Sequence, residues 1–391
     1  MVCLAMAATS HSHHTLRRAP RHLTLVFDIN KSIVMADEAG SKSEAQVCNE
    51  IIAEVARGAV NGAGEWVWNG SEPGSDAPGT QGLTYADYVH EHWGDSAAAD
   101  TAANDARKKM RDKLRGQFCA TDSPGAQLAP QLQALRAALR LPTAVKQHPR
   151  AVDCGLQSRE SYLIIPAYFN LMSTLQQCAV RFSVQFRTFG SDLPDVIAEH
   201  NAFCCGAHPL SSRADCSEYQ ICTDTGCATI FRDAAGAVLM RGLQPIDDLN
   251  DRASLPDVLY TEQLDIAAFL SGTRCKALAL RDHYRYWRDN VESATSGKLI
   301  YIDPDDTENL VLVFDDNILQ EDAHIIDARC SKTGEPLAFD TVRTNLVRVD
   351  AYRALLGGSG LDNYFLQEIM QRWEGGAELR RQLLEQKAEQ T

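Results

Sequence analysis

Nowhere in the 391 residues do apolar side chains run for the roughly 20 positions that span a bilayer. The longest candidate, SYLIIPAYFNLMSTL at 161–175, is shorter and is broken by Pro166, so no membrane partner is expected. Positive charge is also scarce. Lys and Arg number 38 against 52 Asp and Glu, a formal charge of −14. A nucleic-acid-binding surface is basic, so no nucleic-acid partner is expected. There is no Walker A loop, H-E-x-x-H or G-x-S-x-G, which removes the simplest signatures of P-loop nucleotide binding, zinc proteolysis and serine hydrolysis. Residues 1–8 are apolar but lack a basic n-region, so no secretory signal is expected. The twelve cysteines are then read as mostly reduced thiols of a cytoplasmic protein. His200, Cys204, Cys205, His208, Cys216, Cys222 and Cys227 crowd together, but their gaps match no finger-like zinc spacing. Asn69-Gly70-Ser71 fits a glycosylation sequon, which carries weight only on a secreted chain.

What is present is ordinary for a soluble globular protein, with 45% apolar and 23% charged residues. The length admits two or three domains, or one domain with insertions. Residues 1–22 hold Arg17, Arg18, Arg21 and four histidines but no acid. They read as a disordered tail, with an organellar transit segment as the alternative.

Residues 23–27 are apolar or β-branched without a breaker, as in a buried parallel strand, and end abruptly in Asp28-Ile29-Asn30-Lys31-Ser32. A loop with Asp37, Glu38 and Gly40 follows. Ser43 can then cap a helix over 43–60, where Val47, Ile51, Ile52, Val55 and Val60 recur at helical spacing. Residues 61–82 are rich in Gly, Pro, Ser and Asp and predict a long loop, with a short strand at Trp66 and Trp68. Helices are expected at 84–93, 102–118, 128–140 and 159–178, with 142–158 irregular. The stretch 181–190 alternates Phe182, Val184 and Phe186 with polar residues, and Pro194 opens a further helix. A hairpin is expected within 219–243, a helix at 264–270 and strands at 275–280, 298–303, 310–314, 324–328 and 346–349. Helices at 361–373 and 376–391 close the chain. Strands alternating with helices imply an α/β fold with a mostly parallel central sheet covered on both faces.

Polar clusters accompany the core strands: FDIN at 27–30, FRTFG at 186–190, GK at 297–298 and VFDDN at 313–317. In open α/β sheets ligands bind just beyond the carboxyl ends of the strands, where Asp28, Thr188 and Asp315-Asp316 are expected to stand. With these motifs the chain resembles the haloacid dehalogenase-like (HAD-like) superfamily. Members carry an Asp nucleophile after the first strand, a Thr or Ser after the second, a later Lys, and an acidic pair after the fourth. The resemblance covers about half the chain, mainly the core strands. It implies a Rossmann-like three-layer sandwich built from 23–60 and 159–375. It also implies a mostly helical cap-like insertion at 61–158, a small β-hairpin insertion and a helical tail at 376–391.

The resemblance also implies roles. Asp28 is the nucleophile that forms an aspartyl-phosphate. Thr188 donates a hydrogen bond to a phosphoryl oxygen, and Lys298 offsets negative charge, a role open also to Arg281, Arg285 or Arg288. Mg²⁺ is the expected cofactor, held by Asp28, Asp315, Asp316 and the Asn30 backbone carbonyl, since hard cations take oxygen ligands. Asn30 departs from the pattern. Family phosphatases carry a second Asp there as the acid–base group, and an amide cannot exchange a proton. The expected partner is a small phosphorylated molecule. The alternative is a catalytically inactive member that binds a phosphorylated ligand or a protein. Oligomeric state is not legible.

Overall fold

The computed structural model describes residues 22–36, 42–75, 81–94, 101–152, 154–211, 215–246, 249, 251–271, 276–306, 308–319 and 322–389. The expected tail at 1–22 (apart from His22), the loop carrying Asp37, Glu38 and Gly40, and Cys275 at the start of an expected strand lie outside the described residues.

The unbroken apolar run at the start of the chain becomes β1 (His22–Asp28). Three short strands follow: β2 (Arg57–Val60), β3 (Trp66–Trp68) and β4 (Leu83–Thr84). Next come β5 (Phe182–Thr188), β6 (Cys227–Asp233), β7 (Gly236–Arg241), β8 (Val258–Tyr260) and β9 (Ala277–Asp282). The last are β10 (Lys298–Ile302), β11 (Asn309–Asp315), β12 (Ile326–Cys330) and β13 (Leu346–Arg348). Eight of them form one sheet in the order β13-β11-β1-β5-β9-β6-β7-β8. From β13 to β6 every pairing is parallel, and the β6–β7 and β7–β8 pairings are antiparallel. The chain is therefore α/β with a mostly parallel central sheet. The hairpin expected within 219–243 is not an appendage, because β6 pairs with β9 and carries the sheet outward.

Side chains alternate across the pleat. Leu23, Leu25 and Phe27 enter the main core with helices Glu44–Val55, Pro166–Gln177 and Tyr364–Arg372. Phe27 stacks on Phe314 at 4.9 Å and meets Phe365 edge-on at 5.4 Å. On the other face Val26 and Val313 pack under Ile300 and Ile302 of β10. That face is covered by a second, two-stranded parallel sheet, β10 with β12. Leu299 and Tyr301 pack with helix Gln263–Ser271 and with β6, β7 and β9.

Several boundaries differ from expectation for physical reasons. The helix expected over 43–60 ends at Val55, and Arg57–Val60 is a strand. Glycine favours the helix poorly, and at Gly58 an added Cβ would sit 2.4 Å from the Val67 carbonyl, so the close β2–β3 pairing needs glycine there. The helix expected over 159–178 starts only at Pro166, the first-turn residue that fixes its entry. Upstream, Ser161 and Ile164 form bridges with Arg140 and Val34. Trp66 and Trp68 do lie in a strand, within the antiparallel β3-β2-β4 sheet. Trp66, Tyr85, Phe118, Leu128 and Leu135 of the 61–158 region are buried in the same core as Phe27. No described helix is long and apolar enough to cross a membrane.

Candidate active site

Parallel strands bring their carboxyl ends to one edge of a sheet. Asp28 ends β1 and Asp315 ends β11, its hydrogen-bonded neighbour. Thr188 ends β5 on the other side, one residue beyond Arg187, the register partner of Asp28. By the period of two, Asp28 lies on the same face as Val26, and Asp315 on the same face as Val313. Both carboxylates therefore look toward β10.

β10 runs against the central strands. Its last residue, Ile302, lines a cavity of about 310 Å³ beside His22 and Asn309, which open β1 and β11. Its first residue, Lys298, arrives at the opposite end. There the ammonium lies 2.5 Å from Asp28 Oδ1 and 2.7 Å from Asp315 Oδ2. It also sits 5.3 Å from the ring centre of Phe189. The preceding residue has to be glycine: a Cβ at 297 would lie 2.1 Å from the Ile325 carbonyl oxygen. Arg285 and Arg288 instead pair with Asp289 on the solvent side of a short helix, and Arg281 donates to the Gln244 carbonyl.

Asp316 completes the cluster. One carboxylate oxygen from each of Asp28, Asp315 and Asp316 lies within 4.8 Å of the others, and among the described residues no other group of three His, Cys, Asp or Glu converges so closely. The loop that carries the pair is locally braced. Asn317 N–H donates to Asp315 Oδ1 at 2.9 Å and its amide donates to Asp316 Oδ1 at 2.8 Å. Burial drives the Asp28 carboxyl well above the ordinary range; Lys298 opposes this, and Asp315 and Asp316 add to it. Burial likewise pushes Asp316 up to about 7, against Lys31 and with Asp315 and Glu54. For Lys298 burial works against the charge, yet Asp28 and Asp315 hold the ammonium above its ordinary value. Three carboxylates around one shared ammonium leave a negative surplus, and the raised values at Asp28 and Asp316 are its signature. A hard divalent cation fits this all-oxygen donor set and would relieve the surplus.

The turn after β1 is tight. The Ile29 carbonyl accepts from the N–H groups of Ser32, Ile33 and Val34. It forces Lys31 into the left-handed region at φ 57°, which costs about 1–2 kcal/mol. Lys31 then reaches Glu50 at 3.0 Å and Glu54 at 3.2 Å, and Arg115 pairs with Glu54 as well. Burial opposes ionisation of Glu54, but Lys31 and Arg115 hold it down to about 2. This charged layer backs Asp316. Asn30 Oδ1 is buried without a hydrogen-bond partner. A Cβ at Gly190 would lie 3.5 Å from Asn30 Nδ2, 3.3 Å from Thr188 Oγ1 and 3.0 Å from Asp192 Oδ2, so glycine keeps this corner open. Thr188 Oγ1 accepts from Gly190 N–H at 2.8 Å, leaving its own proton to donate.

No protein-family model, curated protein or solved structure matches this chain.

The structure thus brings Asp28, Asp315, Asp316 and Lys298 together, and sets Asn30 beside Thr188 at the adjacent corner. Sequence reasoning passed over Arg187, Arg232, Asp282 and Asp327, all buried on the β10 side. A usable signal existed for Arg187. A parallel strand is covered on both faces, so a charged residue within one needs a built partner.

Proposed function

We propose that the chain is a Mg²⁺-dependent hydrolase of the haloacid dehalogenase-like type, acting on a small phosphorylated substrate through an aspartyl-phosphate at Asp28. The observation that carries this reading is the convergence of Asp28, Asp315 and Asp316 on one another beside Lys298. Stretches nearly 300 residues apart in the chain supply these groups (28 and 316), and packing alone gives no reason to collect two buried acids and a half-buried third.

In this reading a carboxylate oxygen of Asp28 attacks phosphorus. The new O–P bond forms as the bond to the leaving oxygen breaks. Lys298 neutralises the charge that accumulates on Asp28 and the phosphoryl oxygens, in a site where exclusion of water strengthens the effect. The Thr188 hydroxyl donates to a phosphoryl oxygen. Mg²⁺, held by Asp28, Asp315, Asp316 and the Asn30 backbone carbonyl, would supply further charge neutralisation. Water then attacks phosphorus, the bond between phosphorus and the Asp28 oxygen breaks, and the water protons leave on the released phosphate, freeing the Asp28 carboxylate.

Asn30 narrows the substrate. A positioned acid–base group is worth about 10²–10⁴ in rate. Without one at position 30, substrates whose leaving group departs unprotonated are favoured, such as acyl phosphates and anhydrides. The same residue supports a second reading, a non-catalytic chain that retains a phosphorylated ligand. One experiment separates them. Mg²⁺-dependent hydrolysis of acetyl phosphate, abolished in Asp28→Asn, supports the enzyme. Absence of turnover across a phosphate-ester and acyl-phosphate panel, with Mg²⁺ binding intact, supports the second reading.

A further inference from the structure

We propose that Arg187 and Arg232 are positioning residues that hold Lys298 against the carboxylates. The catalytic consequence rests on the reading above, but the positioning itself does not.

β10 belongs to the two-stranded sheet and not to the eight-stranded one, so no ladder with β1 or β11 fixes where Lys298 lands. Two guanidiniums from the central sheet grip its backbone on either side of Lys298. From β5, Arg187 Nη1 donates to the Leu299 carbonyl at 2.8 Å. From β6, Arg232 Nη1 donates to the Gly297 carbonyl at 2.8 Å, and its Nη2 donates to the Thr295 carbonyl at 3.1 Å. Each guanidinium is anchored by a buried acid. Asp282 accepts from Arg187 Nε at 2.9 Å and from Nη2 at 2.6 Å. Asp327 lies 2.7 Å from Arg232 Nη2. The planar fork lets one Arg present donors in fixed, separate directions to its acid and to a carbonyl, where a Lys would present a single point charge.

Arg187 is 1% exposed and Arg232 7%. Burying two such ion pairs is an expensive way to gain stability alone, since apolar residues of similar volume serve as well or better. The Gly297 carbonyl belongs to the peptide just before Lys298 and the Leu299 carbonyl to the peptide one residue beyond it, so holding both restrains the short segment that carries the Lys298 Cα. Lys298 is the residue whose ammonium must meet two separate strands.

The test uses the full chain and four variants: Arg187→Gln, Arg232→Gln and the milder Asp282→Asn and Asp327→Asn. The Asn variants serve if either Gln variant fails to fold by circular dichroism. The first readout is reductive methylation, followed lysine by lysine by peptide mass spectrometry. Lys298, 2% exposed, is expected to be protected in the wild type. In the variants it should react about tenfold faster relative to Lys146 and Lys332, the change produced when local opening eases by about 1.4 kcal/mol. The second readout is Mg²⁺-dependent acetyl phosphate hydrolysis. There kcat should fall roughly 10²-fold, as for a catalytic group misplaced by about 1 Å, with little change in KM. Folded variants that label Lys298 at the wild-type rate overturn the proposal. If the wild type turns nothing over, the functional reading fails and the labelling result alone decides the positioning role.

Discussion

Replacing Lys298 with methionine deletes the ammonium that touches Asp28 and Asp315 while keeping an unbranched side chain of similar volume. At 2.5 and 2.7 Å, and an effective dielectric near 20, each contact is worth about 6 kcal/mol of attraction. Desolvating three ions takes back several kcal/mol apiece, so the net worth of the triad is far below that sum. The loss on removing one partner is set instead by the acids left behind, about 3–5 kcal/mol. Urea unfolding in excess chelator should therefore show Lys298→Met destabilised by about that amount. Adding Asp28→Asn to it should recover at least about 1 kcal/mol, because an amide beside Asp315 removes a repulsion. Saturating Mg²⁺ should narrow the gap between wild type and the single variant, since the ion restores positive charge. A Lys298→Met protein within about 0.5 kcal/mol of wild type, with no coupling to Asp28→Asn, would refute the electrostatic reasoning.

Three further outcomes follow from the same geometry. Asp316, pushed up to about 7, binds its proton more tightly in the folded chain than in the unfolded one between pH 4 and 7. Its contribution to stability therefore falls as pH rises through that window. The difference in unfolding free energy between wild type and Asp316→Asn, both metal-free, should drop by on the order of 3 kcal/mol from pH 4 to 7. The difference is the quantity to measure, because burial lowers His200 to about 4 and that alone tilts both curves the other way. Asn30→Asp should raise kcat for alkyl phosphate esters by about tenfold or more in a steady-state assay, and an unchanged or lower rate counts against the role assigned to that position. Gly297→Ala, whose Cβ would meet the Ile325 carbonyl at 2.1 Å, should lose at least about 2 kcal/mol of stability, and wild-type unfolding behaviour would mean that β10 and β12 are not so closely apposed.

The parts of this fold that are legible in the sequence share a local cause. Leu23–Phe27 and Leu310–Phe314 read as buried strands because every position is apolar or β-branched, and the Asp that ends each run sits at the sheet edge that parallel pairing dictates. The acids could be brought together on that basis alone. Non-local facts were not legible. Nothing near Lys298 in sequence says that β10 leaves the central sheet, crosses it in reverse and delivers its first residue to the site. That depends on Gly297 tolerating the Ile325 carbonyl and on two arginines about 65 and 110 residues upstream. The Arg57–Val60 strand was hidden in the same way. Its apolar spacing continues that of the preceding helix, and only the approach of Val67 and Trp66 to Gly58 ends it.

The most direct measurement is the location of a bound divalent ion. A crystal grown with Mn²⁺ in place of Mg²⁺ and measured for anomalous scattering would place the ion without reference to turnover. The expected result is a peak in contact with the carboxylates of Asp28, Asp315 and Asp316. A peak bound elsewhere, or no peak at saturating Mn²⁺, would contradict it.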